Sequence, residues 1–455
     1  MNLIVAAKRI VIILFLFVML TGSSCRTGNE YPWETRQLGV AGANSYSTSI
    51  AYYGGHVYVA GGTTGGLDGN SRTGTEDCFL TEYNSSGFVF NNKHKDKNNQ
   101  TFQFGVAGGT TVGSALAIDS EGNIFVAGET NGGLGGNTQT GNTDFFVTKY
   151  GSTGGLQYTQ QLGVTSANTR ATSVVTDGNG NVYVAGYTTG NLDGKTLTGT
   201  TDFFVTKYNR SGVKQYTRLL GVTGGVTHGN AVTTDIHDNV YVAGYTTGNL
   251  DGIPLTGTTD FFVTKYNSTG DKQYTRLLGV AMANTIGNAI ATDAAGNVYI
   301  VGNTNGALDG SSIYGITDFF FTKYNSTGDK QYTRQLGVAM KTTLGNGVAT
   351  DTDGNVYVAG STTGGLDGNS LSGITDFFIT KYNSTGKRQY TRQLGVASAT
   401  TLGNGVATDR SDNVYVAGST TGGLDTNLLM GTRDFFVSKF DKNGEHHQTD
   451  LYKLE

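Results

Sequence analysis

The sequence predicts an all-β fold, a seven-bladed β-propeller with four-stranded antiparallel blades. Three observations lead there. An Asp-Phe-Phe element recurs at Asp144, Asp202, Asp260, Asp318, Asp376 and Asp434, and as Asp-Cys-Phe at Asp77, with spacings of 67 and then 58 five times over. Each period holds four strand-like runs. Seven copies fill the chain from about Trp33 to its end.

The unit from Gly287 to Gly337 shows the four runs in order. "GNAIATD" is followed by the turn "AAG" and by "NVYIVG"; after a long loop come "DFFFTKYN", the turn "STG" and "DKQYTRQLG". Val, Ile, Tyr, Phe and Thr dominate the runs, while Gly, Asn and Asp punctuate their ends, as strand and turn chemistry require. No stretch after Leu20 carries a sustained helical period with caps. A four-stranded sheet cannot bury both faces alone, so neighbouring units must stack. A β-helix needs shorter rungs and a row of sandwiches needs longer units, whereas radial stacking uses one sheet per blade and suits a count of seven. The longer first interval has a local cause: the basic stretch "FVFNNKHKDKNNQ", from Phe88 to Gln100, stands where other copies have a short turn such as "STGDKQ".

Composition agrees with many short strands joined by Gly turns. Gly is 70 of 455 residues and Pro only 2, while 25 Tyr and 22 Phe supply the apolar surface that disordered Gly-rich chains lack. The net charge is −4, from 31 basic and 35 acidic residues, so no strong field invites nucleic acid.

The stretches "GNAIATDAAGNVYIVGNT" and "DFFVTKYNSTG" resemble the bacterial seven-bladed β-propeller repeat of SBBP type, over nearly the whole mature chain. The resemblance implies a fold; the family carries no single activity.

The first residues are of another kind. Lys8 and Arg9 precede an apolar run from Ile10 to Leu20, too short to span a bilayer as a helix, with the layout of a secretory signal. "LTGSSC" then ends at Cys25 and resembles a bacterial lipoprotein signal, although Leu20 lies five positions before the Cys instead of three. The expected organisation is a signal over 1–24, lipidation at Cys25, a short tether over 25–32 and the propeller over 33–455. The protein is then exported and lipid-anchored in the cell envelope, at the outer membrane or cell surface, as a monomer. Cys78, the second of two cysteines, stands where other copies have Phe and reads as a small buried apolar residue.

Ring closure follows from the ends. "ETRQLGV" at Glu34 to Val40 matches the fourth strand "YTRQLGV" at Tyr390 to Val396, yet precedes any first strand, so it is expected to complete the last blade. The C-terminal "EHHQTDLYKLE" competes for that place but matches the repeat poorly.

Loop lengths separate two faces. The turns between first and second strands and between third and fourth are tight hairpins, while the second-to-third and fourth-to-first connections are long and emerge together. Long loops on a rigid scaffold make that end the candidate binding face. Its candidate residues are the aspartates of "LDG": Asp68, Asp193, Asp251, Asp309, Asp367 and Asp425, with Gly135 interrupting the series. That end is expected to be acidic. Lys149, Lys207, Lys265, Lys323 and Lys381 should make the hairpin end more basic. The Tyr and Arg of the fourth strands (Tyr274, Arg276, Tyr332, Arg334, Tyr390 and Arg392) are expected to guard blade edges.

Chemistry is sparse. Paired aspartates in "LDG…TD" offer oxygens to calcium, but Asp before Gly caps turns and Asp before Phe-Phe bonds loop amides, so the structural role is preferred and no cofactor is assigned. The six histidines (His56, His94, His228, His237, His446 and His447) fall at unrelated repeat positions, and no "GxSxG" or "HExxH" occurs. No catalytic residue and no metal ligand is assigned. The expected function is a non-enzymatic binding scaffold for a protein or glycan. A hydrolase or lyase with a single site at the axis is the alternative, and calcium stabilisation is compatible with either.

Overall fold

A computed structural model describes residues 35–84 and 101–446. The signal, Cys25 and the tether lie outside the described residues, as do the insertion at 85–100 and the end from 447. Twenty-eight strands among the described residues form seven four-stranded antiparallel sheets, so the expected fold is the observed one.

Blades 1 to 6 take their strands consecutively from residues 45–104, 111–162, 169–220, 227–278, 285–336 and 343–394. Blade 7 takes three strands from 401–440 and its fourth from the other end of the chain. Strand β1 (Arg36–Leu38) pairs antiparallel with Asp434–Phe440, placing Arg36 opposite Val437 and Leu38 opposite Phe435. The "ETRQLGV" segment therefore closes the ring, as its sequence predicts.

The second and third strands are buried on both faces because each sheet is sandwiched between two others. In blade 4, Val240 to Ala243 and Phe261 to Val263 have no exposed surface. The two Phe of each Asp-Phe-Phe point to opposite neighbours. Phe203 stacks on Phe262 of the next blade at 5.0 Å, and Phe204 on Phe145 of the preceding one, also at 5.0 Å. Such aromatic pairs add about 0.5–1.5 kcal/mol each beyond the area they bury. The series closes with Phe79 against Phe435 at 4.8 Å between blades 1 and 7. Between blades 1 and 2 the fully buried Cys78 takes the place of one ring, in a cluster with Phe146. Phe104 fills in from the fourth strand, edge-on to Phe146 at 6.0 Å.

The glycine that ends "NVYVAG" has a steric cause. Every first strand carries a bulge, seen in blade 4 as a register shift between Gly229 and Ala231. A Cβ on Gly244 would lie 1.8 Å from the carbonyl oxygen of His228, and the same holds for Gly302 against Ile286 and Gly360 against Leu344. Only glycine lets the strands approach so closely. The bulged residue works between blades: Asn230 donates to Gly287 O at 2.8 Å, Asn288 to Gly345 O at 2.9 Å and Asn404 to Ser47 O at 2.7 Å. These bonds join first strands to one another and place them innermost in the ring.

Candidate functional site: the long-loop end of the inner strands

The two long connections meet at one end of each blade junction. Thr201, before a third strand, and Val226, before the next first strand, form a parallel bridge, and Thr227 donates its amide to Thr201 O at 2.9 Å. The buried Asp202 holds the same loop, accepting the amides of Thr198 at 2.7 Å and Gly199 at 2.8 Å. Its counterparts do likewise, which is the amide-bonding role expected for Asp before Phe-Phe.

The aspartates of "LDG" lie over the outer strand instead of at the long-loop end, and Asp193, Asp251, Asp309 and Asp367 are exposed there. Each long second-to-third connection folds back over the outer, fourth strand of its own blade. Leu366 donates its amide to Gln393 Oε1 at 2.9 Å, and Asn137 Nδ2 donates to Thr159 O at 3.0 Å. The Asp then sits in a tight turn with positive φ, from 49° at Asp425 to 57° at Asp251. Asp193, Asp251 and Asp309 pair with Lys214, Lys272 and Lys330, Asp367 with Arg388, and Asp425 with His446 at 3.2 Å and with Thr35. Asp68 occupies the same turn of blade 1. The expected acidic face is thus an ion-paired rim, because the loop is long enough to reach the cation that opens the outer strand.

The other repeated polar residues are also engaged. Lys207 lies over the Tyr183 ring at 5.0 Å and donates to Ser268 O of the next blade at 3.0 Å; Lys149, Lys265, Lys323 and Lys381 repeat the arrangement. Arg276 packs over Tyr274 at 4.7 Å and donates through Nε to Gly328 O at 2.9 Å. Tyr332 with Arg334 and Tyr390 with Arg392 do the same, so these pairs staple adjacent blades instead of guarding edges. Among the described residues no three or more His, Cys, Asp or Glu side chains converge as a metal site.

One layer departs from the repeat. It comprises the second residue of each first strand and its partner on the second strand, both at the long-loop end. The pairs run Tyr46 and Gly62, Val112 and Glu129, Arg170 and Tyr187, His228 and Tyr245, Ile286 and Asn303, Leu344 and Ser361, Leu402 and Ser419.

In blades 1 to 4 this layer carries three polar groups, whose side chains are half-buried, with the apolar Val112 between the first two. The Tyr46 hydroxyl donates to Glu76 Oε1 at 2.6 Å across Gly62, where a Cβ would lie 2.7 Å from that hydroxyl. Arg170 Nη1 donates to Glu129 Oε1 at 2.7 Å, bridging two blades. Glu129 Oε2 is buried without a hydrogen-bond partner. Tyr187 stacks on His228 with ring centres 3.8 Å apart, and the Tyr245 hydroxyl lies 3.1 Å from His228 Nδ1.

Burial sets the ionisation here. It pulls His228 down to about 4 and pushes Tyr187 and Tyr245 up. Burial also raises Tyr46, with Glu76 adding to it, and raises Glu129 in spite of the Arg170 guanidinium. At neutral pH the row presents an uncharged imidazole and protonated phenols.

Blades 5 to 7 set apolar first-strand residues opposite the small polar Asn303, Ser361 and Ser419. Ile286, Leu344 and Leu402 occupy the inner positions, and Met282 and Met340 protrude from the loops at 94% and 82% exposure. Both methionines hold positive φ, 59° and 55°, in turns where other blades use Gly42, Gly108 and Gly224.

Sequence reasoning placed His228 at an isolated repeat position and passed over its neighbours. The signal was present: in a chain that repeats itself nearly verbatim, this paired column changes residue type at almost every blade.

Comparison with known proteins supports the architecture. The SBBP β-propeller repeat matches at residues 101–135, 157–193, 215–251, 273–308, 331–367 and 389–425. The regulatory protein FlaEY of Caulobacter vibrioides is 30% identical over 184 residues, 35% of this chain and 18% of its own length. The WD repeat-containing protein L264 of Acanthamoeba polyphaga mimivirus is 33% identical over 102 residues, 20% of this chain and 7% of its own. The chain thus spans less than a fifth of either relative. Among solved structures, it is similar to the polysaccharide lyase Uly1 (TM-score 0.46, 11% identity, covering 93% of this chain and 94% of that one). It is also similar to the WD40 β-propeller domain of Doa1 (TM-score 0.43, 10% identity, covering 89% and 96%). At such identities no functional residue passes from one chain to the other. Six matched repeats within a closed ring of seven blades make this chain an SBBP-type β-propeller protein.

Proposed function

We propose that the chain is an exported, lipid-anchored binding protein of the bacterial envelope, which contacts a protein or glycan through the long-loop end of the propeller. The observation that carries this reading is the non-repeating inner row: blades that copy their cores nearly verbatim differ where Tyr46, Arg170 and His228 stand. A single asymmetric site fits this better than the multivalent contact that repeated loops alone suggest.

Palmitate labelling of the chain, lost in Cys25→Ala, tests the anchor. A binding screen against envelope proteins and glycans, repeated with Arg170→Ala at the long-loop end and Arg392→Ala at the hairpin end, tests the face. Binding is expected to fall only in the first variant; loss only in the second overturns the reading.

The same row favours a second reading, an extracytoplasmic hydrolase or lyase with its site near the axis. His, Tyr and Glu in one non-repeating cluster are the residue types of general acid–base work. Against it, His228 is covered by Tyr187 and engaged by Tyr245, and one oxygen of Glu129 is held by Arg170. Accumulation of shortened polysaccharide products on prolonged incubation would favour the enzyme.

A further inference from the structure

We infer that the polar row of blades 1 to 4 binds an uncharged, polyhydroxylated chain, a neutral glycan segment. The inference rests on the long-loop end being the binding face and adds the class of ligand. It begins from charge. The row holds two carboxylates, Glu76 and Glu129, against the single guanidinium of Arg170, which is already bonded to Glu129 at 2.7 Å. An anionic ligand, whether nucleic acid, phosphate or an acidic polysaccharide, meets a net negative row whose cation is neutralised.

A purely apolar ligand fails for another reason. Covering Glu76, Glu129 and Arg170 with hydrocarbon removes water from partly exposed polar groups that keep hydrogen-bonding capacity, the Arg170 guanidinium above all. What the row offers together is ring surface on Tyr187 and Tyr245, planar acceptors on two carboxyl groups, and guanidinium and phenol donors. Sugar rings present apolar C–H faces and hydroxyls at alternating positions, and match such a mixture. Direct access exists, because the Arg170 side chain is 39% exposed and that of Glu129 21%.

The spacing suits a chain. Contacts recur from blade to blade, at no more than one sheet spacing of ~10 Å. Four successive blades therefore address several linked units of one polymer.

The test is titration of the full chain in detergent with hexasaccharides of β-1,4-glucan, β-1,4-mannan and β-1,4-xylan, with oligogalacturonate as the acidic arm and chitosan hexamer as the cationic arm. Saturable binding of a neutral hexasaccharide is expected, weakened about tenfold by Tyr46→Phe with Glu76→Gln and by Arg170→Ala, the scale for losing one well-placed contact. Thermal midpoints of the variants show whether each has kept its fold, and Asp251→Ala, at the ion-paired rim outside the row, should bind as the parent does. Failure of all three neutral sugars, or binding that ignores the row variants, overturns the inference. Preferential binding of the acidic or cationic oligomer, lost in Arg170→Ala, overturns the ligand class and leaves the binding face standing.

Discussion

A methyl group on Gly244 would stand 1.8 Å from the carbonyl oxygen of His228. This one approach joins the two halves of the account. The bulge that needs the glycine sends Asn230 to the next blade, and it presents His228 at the inner end of the strand.

Gly244→Ala is therefore expected to destabilise the propeller by about 3 kcal/mol or more, since backbone must move to admit the methyl. Gly252→Ala is the control. Gly252 has a positive φ of 76° with open space around it, so its cost is only the left-handed strain, about 1 kcal/mol. Denaturant unfolding of the two variants should rank them in that order; equal stability would refute the steric account.

Cys78 should be chemically silent in the folded protein. Its thiol is fully buried, and burial with the nearby Asp77 pushes it well above the ordinary range. In a Cys25→Ala background, where Cys78 is the sole thiol, a disulfide reagent should react only upon unfolding. Cys78→Ser should cost about 1–3 kcal/mol by burying a hydroxyl among Phe146 and Phe104.

His228 gives the row a pH signature. Its folded pKa, about 4, lies below the ordinary value of 6.5, so the unfolded chain binds the extra proton first as pH falls. Its contribution is complete above pH 6.5 and is lost as the pH falls from there towards 4. His228→Gln should flatten the melting temperature across that window, and an unchanged slope would contradict the burial of this imidazole.

Chelation is expected to leave the melting temperature unchanged. The carboxylates considered for calcium are engaged, Asp202 and Asp260 by loop amides and Asp193 and Asp251 by lysines. A midpoint lowered by chelator and restored by calcium would contradict this assignment.

The fold was legible because its determinants are local and repeated. The Phe-Phe pairs, the hairpin turns and the orphan "TRQLGV" strand all declare themselves through self-similarity. The sites were less legible for the same reason. "LDG" stood out because it repeats, yet repetition here marks a structural part: Asp251 sits in a positive-φ turn and pairs with Lys272 at the rim. Arg276 looked like edge protection because strand order does not show that its guanidinium reaches Gly328 of the next blade. Tyr46 and Glu129 went unnoticed and His228 was read as isolated because each breaks the pattern in its own way, and only the ring brings the broken positions into one row.

On the proposed reading, function resides where the repeat fails. Its most direct measurement is neutral-hexasaccharide affinity for Arg170→Ala set beside Asp251→Ala, both at an unchanged fold. Arg170→Ala is expected to lose about tenfold in affinity and Asp251→Ala to keep the parent affinity. Loss of binding in Asp251→Ala with Arg170→Ala unaffected would return the site to the repeated loops and contradict it.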